Sequence, residues 1–264
     1  MRLEVQICLG PFWLAQAGKG NEEYYLMTKK KLVLNWSSGK DAAMALYQLQ
    51  QSKSYEVVHL LTTVNAHYNR VTMHGLHRAL LNDQIEALGI PFSTVELPEK
   101  ADMPEYESIM KAAYSSLTKK DLKHAAFGDI FLEDLKHYRE QQFDGMGWQT
   151  VFPLWKRNTT ELLNEFLDLG FKAIVVCVKT DLLDQDFAGR VIDKSFIADL
   201  PETVDPCGEN GEFHTFCFDG PVFKRPVPFS LGERSHQSYP NPDANSTAKE
   251  VGFCFQELLL NQQE

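Results

Sequence analysis

One stretch, residues 31–46, constrains the fold of this chain more than any other. It starts with a short apolar run, Leu32–Trp36, of the kind that forms a buried strand in a parallel sheet. From Asp41 to Gln51 the apolar side chains recur at helical spacing, which predicts a helix. The residues between them, Ser37–Asp41, therefore form a tight loop at a helix N-terminus. Backbone N–H groups at the positive end of a helix bind phosphate, so this loop is a candidate phosphate site.

The loop departs from two common phosphate-binding patterns. G-x-x-x-x-G-K-[ST] does not fit, because Leu34 stands where a glycine is needed and Asp41 follows Lys40. G-x-G-x-x-G is absent as well. Residues 37–42 read Ser-Ser-Gly-Lys-Asp-Ala, which resembles the S-G-G-K-D-S signature of the PP-loop ATP pyrophosphatases. That superfamily cleaves ATP between the α and β phosphates.

Two positions of the loop differ from the signature. Ser38 replaces the middle glycine, and Ala42 replaces the final serine. We expect Ser38 to be accommodated only if its φ angle is not positive, since positive φ favours glycine. The alternative interpretation of the motif is a strand–turn–helix junction with a solvated Lys40–Asp41 pair.

Composition narrows the classes of protein that the chain can belong to. A net charge of −10 argues against broad attraction to nucleic acid. No apolar run approaches the roughly 20 residues of a membrane span, so we expect a soluble protein without a membrane partner. The cysteine count is 5, an odd number, and no C-x-x-C pair occurs, which indicates free thiols in a reducing cytoplasm.

Apolar runs of strand length alternate with amphipathic segments along most of the chain. This order predicts an α/β fold: a doubly wound parallel sheet, Rossmann-like with α/β/α layers, that binds ligands at the carboxyl ends of its strands. A second, smaller α+β domain is expected to follow. The predicted strands after the first are 55–64, 91–97, 124–130, 150–154, 173–178, 213–218 and 221–228, and the predicted helices are 76–88, 104–117, 133–142, 158–169 and 194–199.

The domain boundaries follow from the same pattern. Residues 1–26 are predicted to be a loosely ordered or non-native extension, because Met27 leads directly into the first strand. Residues 27–155 form the predicted ATP-binding domain and residues 156–230 the predicted substrate domain. Residues 231–264, rich in Ser, Pro, Asn and Gln, are predicted to be a tail with a short terminal helix at its end.

Three further motifs follow the phosphate loop in order. They are Gly128–Asp134, beginning G-D-I; Phe152–Arg157, containing P-L-W; and Pro206–Phe216, in which Asn210 replaces one glycine of a G-E-G-G-E-Y/F block. Together with the loop they resemble the diphthine–ammonia ligase family of PP-loop proteins. The resemblance covers about residues 31–228.

The resemblance implies an ATP-dependent ligase that forms AMP and pyrophosphate. In that family a carboxylate attacks the α-phosphate of ATP, and ammonia then displaces AMP to leave an amide. The family's carboxylate belongs to diphthine, a modified histidine of a translation elongation factor. The implied partners are therefore ATP, Mg²⁺, ammonium and a carboxylate acceptor, which is either a modified protein side chain or a small metabolite. The oligomeric state cannot be read from the sequence.

The resemblance also assigns nucleotide-binding roles. Backbone amides of Ser37, Ser38 and Gly39, together with Lys40, would hold the leaving pyrophosphate. Asp41 would ligate Mg²⁺, and its alternative role is to satisfy N–H groups at the helix start. Gly128, a further nucleotide-binding candidate, would allow close backbone approach.

The remaining catalytic candidates, beside Lys40, are carboxylates. Asp129 would face the nucleotide or the substrate amine; its alternative role is a turn or cap carboxylate. Glu209 and Glu212 would bind ammonium, act as bases or ligate metal. The spacing of these two residues alone favours a solvated acidic loop, and only the family motif indicates catalysis.

Other chemically active residue types receive plainer interpretations. His214 is predicted to be a packed or exposed histidine, and His74 and His77 are predicted to lie on the surface. Cys207 has no assignable partner histidine and is interpreted as a structural thiol.

Two alternative functions remain open at this point. A PP-loop enzyme that modifies tRNA is the first, although the acidic composition and the absence of paired catalytic cysteines argue against it. A nucleotide-binding module without turnover is the second, favoured by the departures at Ser38 and Ala42.

Overall fold

The computed structural model describes residues 28–261 except Met73, Lys120 and residues 242–247. The prediction for residues 1–26 lies outside the described residues. Within the described part, no helix is long and apolar enough to cross a membrane.

The first sheet is mostly parallel. Its parallel strands lie in the order β4-β2-β1-β5-β6, and β3 pairs antiparallel with the end of β2. The predicted doubly wound parallel sheet is therefore confirmed, with β3 as an unpredicted addition. The strands are β1 (Lys30–Asn35), β2 (Tyr55–Asn65), β3 (Arg70–Val71), β4 (Phe92–Leu97), β5 (His124–Ala126) and β6 (Gln149–Val151).

The strand order reverses between β1 and β5. The chain builds outward from β1 through β2 to β4, then returns to the other side of β1 for β5 and β6. In open sheets of this kind the loops after the two central strands separate, leaving a crevice at the carboxyl ends. The loops that follow β1 and β5 are those carrying the phosphate-loop and G-D-I motifs.

Helices cover both faces of this sheet. Alternation along β1 sends Leu32 and Leu34 into one apolar cluster with α1 and α2, and Val33 into another with α3 and α4. The helices are α1 (Lys40–Gln51), α2 (Arg78–Leu88), α3 (Met103–Thr118), α4 (Glu133–Asp144), α5 (Thr159–Asp168) and α6 (Lys194–Asp199).

Helix α1 is buried on nearly every side. Ala42, Ala43, Ala45 and Leu46 are all at most 3% exposed. A helix that is apolar all round belongs in an interior, and small side chains allow other elements to approach it closely. Here α1 contacts β1 and β2 of the first sheet and β8 of the second.

The second sheet is antiparallel throughout, in the order β8-β7-β10-β9. Its apolar residues join the same cluster as α1 and α2, so the two sheets share one core. A second, smaller domain was expected, and this sheet confirms it. Its strands are β7 (Lys172–Lys179), β8 (Phe213–Asp219), β9 (Phe229–Pro240) and β10 (Glu250–Leu260).

The prediction of a tail with a terminal helix is wrong for residues 231–240 and 250–260. Residues 229–240 and 250–260 are paired strands, not a tail with a terminal helix. Strand β10 is an interior strand between β7 and β9, so it forms backbone hydrogen bonds on both sides. The strand predicted at 221–228 does not form either; those residues are turns and irregular backbone.

Local signals at helix ends behaved as expected. Asn158 caps α5 by accepting a hydrogen bond from the Glu161 N–H at 3.0 Å. Gly89 ends α2 in the left-handed conformation, and Pro104 lies in the first turn of α3. The cysteines of the described part are free and buried.

Candidate functional site

The loop between β1 and α1 contains a strained residue. Ser38 has a φ angle of 72° and is fully buried, and its hydroxyl donates to the Ser37 carbonyl. The expectation that this position avoids positive φ is therefore wrong. An L-residue in this region is disfavoured because its Cβ crowds the backbone. The surrounding structure must hold Ser38 in place.

Hydrogen bonds from α2 and β8 provide that support. The Ser38 carbonyl accepts from the Cys217 N–H at 2.9 Å and from Gln84 Nε2 at 3.0 Å. Gln84 also donates to the Cys217 carbonyl at 2.6 Å and accepts from Trp36 Nε1 at 2.8 Å. Sequence reasoning missed Gln84; the signal was a glutamine on the buried face of an apolar helix, where its amide must find partners.

Gly39 and Lys40 begin α1 against strand β8. The Lys40 N–H donates to Thr215 Oγ1 at 3.0 Å, so a side chain of the second sheet caps the first helix. A Cβ on Gly39 would lie 3.0 Å from a carbon of the His74 ring and 3.2 Å from the Thr215 carbonyl oxygen. Glycine is needed here for close approach rather than for an unusual φ angle.

The Lys40 ammonium group is buried. Nζ lies 3.0 and 2.8 Å from the two carboxylate oxygens of Asp41, and it donates to the Cys207 carbonyl. The same Nζ lies 5.3 Å from the centroid of the Phe213 ring. The alternative of a solvated pair does not hold for Lys40, which is 3% exposed. Burial lowers the pKa of Lys40, but Asp41 and other acidic groups raise it more, so the pKa is raised overall. Burial raises the pKa of Asp41, against the lowering effect of Lys40.

The loop after β5 approaches the start of α1. A Cβ on Gly128 would lie 3.1–3.2 Å from backbone atoms of Asp41 and Ala42, so this glycine lets two backbones pack closely. Asp129 forms an ion pair with Arg139 of α4, with 2.8 Å between Oδ2 and Nε. Arg139 was not among the predicted site residues, because no characteristic spacing in the sequence indicates an ion pair between a loop and the helix that follows it.

Glu209 reaches from the second sheet's domain to the loop after β5. Its Oε1 accepts from the Ile130 N–H at 2.7 Å and the Phe131 N–H at 3.4 Å. Burial raises the pKa of Glu209 to about 7; Asp41 and Asp129 add to the rise, and the two N–H groups oppose it.

Glu212 lies elsewhere. Its Oε1 accepts from the Asp205 N–H and from Asn210 Nδ2, each at 3.0 Å, and the residue is 2% exposed. The structure therefore places this predicted catalytic residue inside its own turn and outside the walls of the cavities described below.

Two histidines meet beside the loop. The rings of His74 and His214 lie 4.9 Å apart, and His74 Nδ1 is 2.9 Å from the Thr215 carbonyl, to which it donates. Burial lowers the pKa of His74 to about 4, and burial, His74 and Lys40 lower that of His214 to about 3. His74 is half-buried in the cavity walls described below rather than on the outer surface, and both rings are neutral at pH 7. Burial also raises the Cys207 pKa, as expected of a structural thiol.

These groups line two adjoining cavities at the carboxyl ends of the parallel strands. The larger has a volume of about 720 Å³ and runs between α3 and α4; the smaller, about 150 Å³, lies against β8. Lys40 lines the smaller cavity, and Gly128 lines the larger. The residues shared by both walls are Ser37, Asp41, His74, Asp129, Leu135, Glu209 and His214.

Comparison with known proteins adds independent information. The family model described as the diphthamide synthase N-terminal domain matches residues 29–149, and that of the diphthamide synthase C-terminal domain matches residues 158–239. The chain is 28% identical over 158 residues to a Bos taurus protein named diphthine–ammonia ligase, covering 58% of this chain and 57% of that one. The Homo sapiens protein of the same name is 28% identical over 145 residues, with 53% and 54% covered.

The fold is that of an α/β protein with a Rossmann-like parallel sheet and a smaller antiparallel domain. Residues of the smaller domain line the crevice at the carboxyl ends of the parallel strands. The two family models match consecutive parts of the chain. The chain belongs to the diphthine–ammonia ligase family. It spans about half the length of the curated relatives it matches.

Proposed function

We propose that the protein is an ATP-dependent ligase that adenylates a carboxylate and amidates it with ammonia. The observation on which this proposal rests is the meeting of three motifs at the joined cavities: the loop after β1, Asp129 after β5, and Glu209 from the second domain. Family membership supports a ligase, and the relatives' name indicates ammonia and a diphthine carboxylate.

The phosphate chain of ATP is assigned to the loop after β1. The first N–H groups of a helix lack intrahelical partners, so those of Ser37–Gly39 and the start of α1 are suited to the leaving pyrophosphate. Lys40 supplies a buried positive charge there. Its ammonium group is paired with Asp41, and nucleotide binding would exchange this carboxylate for phosphate oxygens.

Asp41 is also the proposed Mg²⁺ residue. The described residues contain no cluster of three or more metal-ligating side chains. Mg²⁺ commonly uses one or two carboxylates, water and substrate phosphates, and Asp41, which lines both cavities, fits that mode. Bound there, the ion would neutralise charge on the transferring phosphate.

Glu209 is proposed to act on the nucleophile. The acceptor carboxylate oxygen attacks the α-phosphorus, pyrophosphate leaves, and an acyl-adenylate forms. Ammonium gives a proton to Glu209, and ammonia attacks the acyl carbon. The bond from that carbon to the AMP oxygen breaks, and the remaining extra proton on nitrogen passes to the departing AMP or to water. A carboxylate with a pKa of about 7 is well matched to a proton transfer near neutral pH.

A non-catalytic ATP-binding module is the second candidate. Its support is that Asp41 and the Cys207 carbonyl already occupy the Lys40 ammonium group. The deciding experiment measures pyrophosphate and AMP release from ATP, with and without ammonium and a diphthine-bearing elongation factor or small carboxylates. We expect release that requires a carboxylate. Stoichiometric ATP binding with no pyrophosphate under every condition would instead identify the module.

A further inference from the structure

The tautomer of His74 follows from the hydrogen bond that its ring forms. Nδ1 lies 2.9 Å from the Thr215 carbonyl oxygen, which can only accept, so Nδ1 carries a proton. Burial lowers the pKa of His74 to about 4, so at pH 7 the ring is neutral and has no second proton. Nε2 is therefore unprotonated and presents a lone pair. Among the described residues, none donates a hydrogen bond to Nε2, although His74 lines both cavities.

His214 supplies a second unprotonated nitrogen. Its ring lies 4.9 Å from the His74 ring and lines the same two cavities. Burial, together with His74 and Lys40, lowers the pKa of His214 to about 3, so this ring is neutral as well. A neutral imidazole keeps one unprotonated nitrogen in either tautomer. The histidine pair thus offers two hydrogen-bond acceptors where the cavities join.

One carboxylate on the walls shared by both cavities lacks a cationic partner. Asp41 pairs with Lys40, and Asp129 pairs with Arg139. Glu209 forms no ion pair within the described residues, and its Oε1 accepts from two backbone N–H groups of the loop after β5. Backbone donors are uncharged, so the negative charge of ionised Glu209 is not balanced by them. A cationic ligand would balance it.

These groups together select the chemistry of the ligand. Phosphate and carboxylate oxygens have only lone pairs, so an anion would meet the lone pair of His74 Nε2 unfavourably. A cation with several N–H groups satisfies both this nitrogen and the carboxylate of Glu209. Ammonium has an N–H donor in every direction and is about as large as water. The smaller cavity, at about 150 Å³, has room for a few molecules of that size, each taking about 30 Å³.

We propose that ammonium binds where the two cavities join and donates hydrogen bonds to His74 Nε2 and to the Glu209 carboxylate. His214 lies beside it as a further hydrogen-bond acceptor. This inference rests on the proposed ligase function and deepens it, because it assigns a binding site to the nitrogen donor. Held there, the ammonium nitrogen lies next to the carboxylate that takes its proton. His74 then keeps the resulting ammonia in place before it attacks the acyl carbon.

The kinetic test replaces His74 by two different amides. His74→Asn keeps an N–H group near the position of Nδ1 but has nothing in place of Nε2, whereas His74→Gln puts an amide oxygen near Nε2. Amide formation is measured on the full chain with saturating ATP and the diphthine-bearing elongation factor while ammonium is varied. We expect the KM for ammonium to rise about 10- to 100-fold in His74→Asn, the range for a lost hydrogen bond to a charged group, with little change in kcat.

Two further variants should keep the KM for ammonium close to that of the unmodified protein. One is His74→Gln, and the other is the control His137→Asn, at an exposed position on α4 that lines neither cavity. An unchanged KM for ammonium in His74→Asn would overturn the inference, as would an equal rise in His74→Gln. A higher KM for ATP alone in His74→Asn would overturn it too, since Nε2 would then accept from a hydroxyl of the nucleotide.

A spectroscopic measurement on the unmodified protein tests the site without turnover. Two-bond ¹H–¹⁵N spectra of the full chain saturated with AMP report the protonation of each histidine nitrogen. We expect His74 Nδ1 to be protonated and Nε2 unprotonated. The Nε2 resonance should move when ammonium chloride is added, but not with tetramethylammonium chloride, which has no N–H group. The opposite tautomer, or no movement, would overturn the inference. Absence of pyrophosphate release with the diphthine-bearing factor, measured on the same preparation, would instead count against the ligase function and leave the binding site standing.

Discussion

The two sheets contribute to the site in different ways. The parallel sheet acts through the ends of its strands, where the loops after β1 and β5 present backbone groups and single side chains. The antiparallel sheet acts along the length of a strand: β8 presents His214 to the cavities, and Thr215 caps α1 and orients His74.

The two sheets therefore have different roles in the site. Strand-end loops converge because parallel strands end at one edge, which makes a general anion site. A strand laid across that site instead fixes local geometry, since it supplies donors and acceptors at regular intervals. The first sheet accounts for nucleotide binding in the proposed function, and the second accounts for alignment and for the proposed base.

The largest expected effect follows from removing the ammonium group of Lys40, which links the loop after β1 to the second domain through the Cys207 carbonyl. Lys40→Met keeps the side-chain length and the contact with the Phe213 ring but removes the charge. We expect pyrophosphate release to fall at least ~100-fold, as when one charge-stabilising donor is lost. Rates are measured with purified protein under saturating ATP. Lys136→Met, which breaks an ion pair with Glu140 outside both cavities, is the control. Unchanged turnover in Lys40→Met would refute the phosphate assignment.

The next effect concerns the carboxylate contributed by the second domain. The pKa of Glu209 is raised to about 7, so the basic form increases as pH rises through 7. Amide formation should therefore rise across this range in the unmodified protein. In Glu209→Gln it should be about 100-fold lower and lose that rise, in line with the usual contribution of a general base.

The control for that experiment is Glu202→Gln, at an exposed position that lines neither cavity. Its pH profile should match that of the unmodified protein. A Glu209→Gln profile that keeps the same rise near pH 7 would assign the titration to another group.

A smaller effect tests the capping by β8. Thr215→Val removes the hydroxyl that accepts from the Lys40 N–H, with little change in volume. We expect the free energy of unfolding to fall by about 1–2 kcal/mol, the range for a buried donor left without a partner. Thr215→Ser keeps the hydroxyl and should stay close to the unmodified protein. Denaturant titrations of both variants make the measurement, and equal losses in the two would mean that the methyl group, not the hydrogen bond, matters.

The two sheets also differ in how far their sequences predict them. Strand β1 could be predicted because Leu32–Leu34 form an apolar run that is buried on both faces. Strand β9 is largely exposed, so it has no such pattern. In β10 the buried apolar residues Val251, Cys254 and Leu258 fall at helical spacing, since the buried residue between the last two, Gln256, is polar. A helix was therefore the natural but wrong prediction.

The residues of the candidate site likewise differ in how far the sequence predicts them. Lys40, Asp129 and Glu209 could be found because each belongs to a short motif, and all three line the cavities. Arg139 and Gln84 belong to no motif, and their roles come from partners distant in sequence or on another element. Motifs report chemistry that is local in the chain, whereas the groups that hold those motifs in place depend on the tertiary fold.

The smallest expected effect concerns the strained residue at the boundary of the two regions. Ser38→Gly restores the residue type that positive φ favours, and relief of strain should exceed the added entropy of the unfolded chain. We expect the free energy of unfolding to rise by up to about 1 kcal/mol, near the cost of one L-residue in the left-handed region. Gly39→Ser, at a negative φ but with His74 and Thr215 in close contact, should lower it. If Ser38→Gly instead destabilises the protein, the hydrogen bond from its hydroxyl to the Ser37 carbonyl outweighs the strain.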